Sequence, residues 1–118
     1  FRVVSKIEQA LEVYREKFAI SYFTDNINPE NKVSASKAAD RLVEIDGISA
    51  SFVLYTLDNG INLSARSDGS VNVINIAKML GGGGHFTVSG AQLRDCTTEE
   101  AKDMIRKAIE EYLEEETV

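Results

Sequence analysis

The sequence predicts a mixed α/β (α+β) domain, with a small mixed β-sheet of about four strands flanked by helices. Segments with helical spacing alternate with short β-branched and aromatic runs. Two of those runs are joined by Asp58-Asn59-Gly60, a strong hairpin turn, so the sheet is not all parallel. The 118 residues are enough for one core without disulfides or a structural metal, and one domain over residues 1–118 is expected. The chain begins at Phe1 rather than Met and is expected to be a piece of a longer protein.

Ser5-Lys6-Ile7-Glu8 reads as a capping box, and Ile7, Leu11, Tyr14 and Phe18 recur at helical spacing, predicting a helix from about Ser5 to Lys17. Ala19 to Phe23 is short and apolar and reads as a strand. Thr24 to Asn31, with its Asn residues and the single Pro, reads as a loop. A second helix is expected over Ser34 to Ile45, with Ala38, Leu42 and Ile45 inward and Asp46-Gly47 as its stop. Ser49–Leu57 and Ile61–Ser67 are the hairpin strands. Val73, Ile76, Ala77 and Leu80 mark a short helix running into Gly81-Gly82-Gly83-Gly84, and Ala91 to Arg94 reads as a strand. Thr97-Thr98-Glu99-Glu100 is a second capping box, opening a helix whose stripe is Ala101, Met104, Ile105, Ala108, Tyr112 and Leu113.

The net charge of −6 argues against a general binder of long nucleic acid, whose affinity depends on Lys and Arg neutralising phosphates. A small anionic ligand remains compatible, because one local cluster of donors suffices. One cysteine, Cys96, allows no internal disulfide and fits a reducing compartment. No apolar run approaches the length of a membrane span.

The glycine run, followed at once by the single histidine, His85, is the most pointed local feature. Successive glycine N–H groups can turn to one side and hold an anion, with His85 adding a donor. The competing reading is a helix C-cap, for which Gly81 alone suffices. The run fits neither the Walker A loop nor the Rossmann fingerprint, and it leaves a helix C-terminus, whose dipole disfavours an anion. Strand alternation in Ile61–Ser67 puts Ile61, Leu63 and Ala65 on one face and Asn62, Ser64 and Arg66 on the other. Arg66 suits a bidentate phosphate contact, and equally an ordinary exposed strand face. No nucleophile–base pair and no cluster at metal-ligand spacing stands out.

Ser64-Ala65-Arg66-Ser67, followed by VNVINIAKMLGGGGH from Val71 to His85, a strand and an acidic helix, resembles the DHHA1 domain. This is the C-terminal substrate-binding domain of DHH-family phosphoesterases. The likeness runs from about Ala19 to Leu113. It is greatest to the C-terminal domain of bacterial cyclic-di-AMP phosphodiesterases of the membrane-anchored type. The resemblance implies a nucleotide-binding domain of an enzyme that hydrolyses cyclic-di-AMP or a short linear dinucleotide. It also implies substrate-binding roles for Ser64, Arg66, Ser67, Asn72, Gly82, Gly83, Gly84 and His85, and no catalytic or metal-ligating residue in this chain. Two Mn²⁺ ions are implied in a DHH domain outside the chain, with none bound here, so the chain alone is expected to be inactive.

The implied partners are a small dinucleotide or nucleotide, the protein's own DHH domain and, as a further option, a second copy in a homodimer; long nucleic acid is not expected. The implied location is cytoplasmic. Where relatives commonly carry Asn-Ala-Ala or Ala-Ala-Gly after the glycine run, this chain has Val88-Ser89-Gly90-Ala91. The alternatives are a nanoRNase or pAp phosphatase using the same loop, a nucleic-acid-binding module like the tail of alanyl-tRNA synthetases, and a dimerisation domain in which the glycines only allow close packing.

Overall fold

In the computed structural model, which describes residues 2–117, the elements run in the order α1 (Arg2–Gln9), β1 (Glu12–Tyr14), β2 (Phe18–Phe23), α2 (Asn31–Val43), β3 (Ala50–Leu57), β4 (Gly60–Ser67), α3 (Val73–Met79), β5 (Gly83–Gly84), β6 (Val88–Leu93) and α4 (Thr98–Glu116). They form one six-stranded sheet in the order β1-β2-β3-β4-β6-β5. Only the β2–β3 pairing is parallel, so the sheet is mixed as the sequence predicts. It has two strands more than expected: β1, and the two-residue β5 made from the glycines themselves.

Side-chain alternation sets the layers. Phe18, Ile20, Phe52, Leu54, Leu63 and Ala65 face Val73, Ile76, Ile105, Ile109 and Tyr112 of α3 and α4. Ala19, Phe23, Val53 and Tyr55 face Ile7 of α1 and Ala35, Ala38, Ala39 and Leu42 of α2. The register locks this in place. Phe52 sits opposite Ala65 and Leu54 opposite Leu63 on one face, while Val53 sits opposite Ser64 and Tyr55 opposite Asn62 on the other. A slip of one residue would exchange the two sets. The Ser21 hydroxyl donates to the Ile7 carbonyl, and the Ser51 hydroxyl donates to the Ala39 carbonyl at 2.7 Å, so the polar groups beneath α1 and α2 are paired.

Three element boundaries differ from expectation. The first helix ends at Gln9, Ser5 lies inside it rather than capping it, and Tyr14 and Phe18 belong to strands. A spacing of four satisfies both a helical face and a strand face, so the Tyr14–Phe18 interval did not discriminate between them. What separates the two strands is a turn in which Arg15 and Glu16 have φ of 52° and 66°. Tertiary contacts hold that turn. The Tyr14 hydroxyl donates to Glu110 Oε2 of α4 at 2.6 Å, and Arg15 Nε donates to the same oxygen at 2.9 Å. The second helix starts at Asn31, whose side-chain N–H donates to the Asn26 and Thr56 carbonyls; it stops at Val43, leaving Ile45 45% exposed rather than inward. The last strand starts at Val88 instead of Ala91. The second capping box forms as predicted: Glu100 N–H donates to Thr97 Oγ1, and Thr97 N–H donates to Glu100 Oε1.

Candidate functional site

The polar face of β4 is where α2 and the glycine segment meet. Ser64 and Arg66 project to the α2 side, opposite Gly90 and Val88 of β6. Beyond β6, Gly83 pairs with Gly90 and Gly84 with Ser89, so the glycine segment continues the sheet by one short edge strand. Together they border a solvent-open cleft of about 550 Å³, within the range of small-molecule sites. Ser64, Arg66, Gly82, Gly83, Gly84 and His85 all line it.

Ser67 and Asn72 are not among its lining residues. Ser67 Oγ accepts the N–H groups of Gly69 and Val71 and shapes the turn after β4. Asn72 N–H donates to the Tyr112 hydroxyl of α4 at 2.9 Å, and the Asn72 side-chain carbonyl is buried without a hydrogen-bond partner.

The glycines have separate reasons for being glycine. Gly81 and Gly82 close α3 in a Schellman motif: Gly82 N–H donates to the Ala77 carbonyl and Gly81 N–H to the Lys78 carbonyl, with Gly81 at φ 82°. At Gly82 a Cβ would lie 2.0 Å from the Gly90 carbonyl oxygen, and at Gly84, whose φ is 140°, 2.5 Å from Ser89 Cα. A Cβ at Gly90 would lie 2.7 Å from the Leu63 carbonyl oxygen. This stacking of bare backbones is also why β6 carries small residues, which weakened its strand signal in the sequence.

Gly83 differs from its neighbours: it has no positive φ, and a Cβ there meets nothing within 4 Å. The anion nest suggested by the four glycines is therefore corrected in part. The amides of Gly81 and Gly82 are spent on α3, and His85 N–H donates to the Val88 carbonyl at 2.7 Å. Side chains on the cleft wall supply further donors.

Arg66 supplies the best-placed of these. Its side chain is 14% exposed; Nε donates to Asp40 Oδ1 at 2.8 Å and Nη1 to the Ala65 carbonyl at 2.9 Å. Those two bonds fix the guanidinium plane and leave the Nη2 donors uncommitted among the recorded bonds. The Tyr55 phenol lies beside Ser64 and Arg66; burial pushes its pKa up, while those two neighbours act in the opposite direction.

Sequence reasoning missed the α2 and β3 contribution. Lys32, Ser36 and Tyr55 line the same cleft, as do Asn62 and Gln92. Lys32 and Ser36 are one helical turn apart, a signal visible in the sequence but without meaning until α2 is laid across the sheet. No Asp or Glu is among the lining residues, although the chain has 19 of them. Among the described residues there is no group of three or more His, Cys, Asp or Glu able to hold a metal ion, and no helix long and apolar enough to cross a membrane.

This architecture has counterparts. The family model described as the DHHA1 domain matches residues 15–115. The chain is 40% identical over 115 residues to the cyclic-di-AMP phosphodiesterase PdeA of Listeria monocytogenes, covering 96% of this chain and 17% of that protein. It is 43% identical over 91 residues to the cyclic-di-AMP phosphodiesterase GdpP of Geobacillus thermodenitrificans, covering 76% of this chain and 14% of that protein. It thus spans less than a fifth of the length of these relatives. Among solved structures, an exopolyphosphatase-related protein from Bacteroides fragilis superposes with a TM-score of 0.79 at 24% identity, over 94% of this chain and 34% of that one, a likeness of fold.

Proposed function

The chain belongs to the DHHA1 domain family, and from that premise we propose that it is the substrate-binding domain of a phosphodiesterase acting on cyclic-di-AMP or a short linear dinucleotide. The observation that carries this reading is the composition of the cleft. In a chain of net charge −6, its wall gathers Lys32, Arg66 and His85, and the only carboxylate bonded to these residues is Asp40, which holds Arg66 from outside the lining. Such a local field favours a small anion while the rest of the surface disfavours a polyanion. Arg66, already clamped by Asp40, can present its free edge to a phosphoryl oxygen as a fixed fork. Ser64 adds a hydroxyl on the same strand face. Gly83 fits the reading too, since no contact within the fold explains a bare backbone there.

In this reading the domain binds and orients the ligand. Hydrolysis belongs to a companion DHH domain, where two Mn²⁺ ions supply the activated water. A cytoplasmic site of action is part of the same proposal. The test is calorimetric titration of the chain with cyclic-di-AMP. Saturable binding is expected, and Arg66→Ala weakens it by roughly thirtyfold, the equivalent of about 2 kcal/mol for hydrogen bonds to a charged group, measured at a temperature where a thermal melt shows the variant folded. Absence of binding, or equal affinity in Arg66→Ala, rejects the reading.

A further inference from the structure

We propose that the α2 wall of the cleft is a second anion subsite, with Lys32 as its charge and Ser36 as its hydroxyl, so that the cleft selects ligands carrying two phosphoryl groups. The inference rests on the nucleotide-binding reading above and specifies what the ligand must carry.

Arg66 reaches the cleft from β4 and His85 from the glycine segment, whereas Lys32 reaches it from the first turn of α2, a different element. Lys32 and Ser36 are spaced i, i+4, so the ammonium and the hydroxyl share one side of the helix. Tyr55, on β3 beneath α2, lines the cleft with them.

The two cations, Arg66 and Lys32, differ in how far they are already engaged. Arg66 gives Nε to Asp40 and Nη1 to the Ala65 carbonyl. Lys32 has no ion pair or side-chain hydrogen bond among the described residues; Lys17, Lys37, Lys78 and Lys107 share that state, but of these only Lys32 lines the cleft. The carboxylate nearest the cleft wall, Asp40 on the same helix, is engaged by Arg66, which leaves the three N–H donors of Lys32 open to a ligand. The cleft volume of about 550 Å³ is far more than one phosphate fills, so a single ligand has room to meet both ends. The shared chemistry is two phosphoryl groups on one molecule; a cyclic dinucleotide and a 5′-phosphorylated linear dinucleotide both supply it.

The experiment titrates the wild-type chain, Lys32→Gln, Lys32→Arg and Arg66→Ala with cyclic-di-AMP, with linear pApA, and with AMP as the one-phosphate probe. Lys32→Gln is expected to weaken both two-phosphate ligands about fivefold, the scale of a partly exposed ion pair, and to leave AMP unchanged. Lys32→Arg restores most of the loss, and the salt dependence of cyclic-di-AMP binding becomes shallower in Lys32→Gln. Whichever two-phosphate ligand binds the wild type more tightly identifies the source. Lys32 is exposed, so its substitution leaves the fold intact, which a thermal melt checks.

Equal losses for AMP and the two-phosphate ligands in Lys32→Gln, or no loss at all, overturn the subsite. If Arg66→Ala still weakens binding in that case, the nucleotide-binding reading stands without it. A wild-type chain that binds none of the three ligands removes that reading, and the subsite falls with it.

Discussion

On the α3–α4 side of the sheet, Leu63 and Ala65 of β4 are sealed beneath Ile76, Ile105 and Ile109; on the α1–α2 side, their neighbours Asn62, Ser64 and Arg66 border an open cleft. The same strand thus serves two purposes, divided residue by residue. The sealed face is apolar and supplies stability through area removed from water. On the other face α2 covers the centre of the sheet, and β4, β6 and the glycine segment continue past it with polar atoms and bare backbone. The part of that face beyond α2 lies outside the apolar cluster beneath α1 and α2, and its residues are available for a ligand.

The sharpest way to break this contrast is Leu63→Ala. Leu63 is 2% exposed in the larger core cluster, and its truncation is expected to destabilise the chain by about 3 kcal/mol in denaturant unfolding. A loss below about 1 kcal/mol would show that the sealed face is not the stabilising one.

Next is a paired substitution in the glycine segment. Gly82→Ala places a methyl against the Gly90 carbonyl and is expected to cost about 1–3 kcal/mol, while Gly83→Ala, with open space and an unstrained backbone, costs nothing measurable in the same assay. Under the nucleotide-binding proposal, Gly83→Ala instead shows its effect in ligand titration. Equal destabilisation by the two variants would mean that the segment is uniformly structural.

The smallest effect concerns the Tyr14–Arg15–Glu110 contact, away from the cleft. The Tyr14 hydroxyl, and then Arg15, hold the half-buried Glu110 carboxyl below its ordinary value of 4.5. A carboxyl with a lowered folded pKa stabilises above its unfolded value, and that stabilisation is lost as pH falls through the folded one. Glu110→Gln is therefore expected to lower stability slightly at pH 7 and to flatten its fall below about pH 4.5, with ligand affinity at pH 7 unchanged. A shift in ligand affinity would show that the two faces are coupled.

Much of the fold was legible in local chemistry. Asp58-Asn59-Gly60 fixed the hairpin, Thr97 with Glu100 fixed the start of α4, and strict alternation in Ile61–Ser67 separated the Leu63 face from the Arg66 face. These signals depend on interactions within a few residues, which the sequence carries directly. The β1–β2 turn did not read correctly because Arg15 and Glu16 adopt left-handed backbone without glycine, in a turn where Tyr14 and Arg15 bond to a helix 95 residues away. The helix-cap role of Gly81 was legible as one of two readings of the glycine run, but composition does not say which backbone each of the other glycines touches. Only the packing assigns Gly82 and Gly84 to contact with β6, and Gly83 to open space.

The sequence by itself determined which residues of β4 share a face, because a period of two is written into the order of side chains. The tertiary structure decided the cleft. Lys32, Tyr55, Arg66 and His85 lie far apart along the chain, and only α2 crossing the sheet brings them to one wall. Convergence of that kind depends on how elements pack, and no local pattern encodes it.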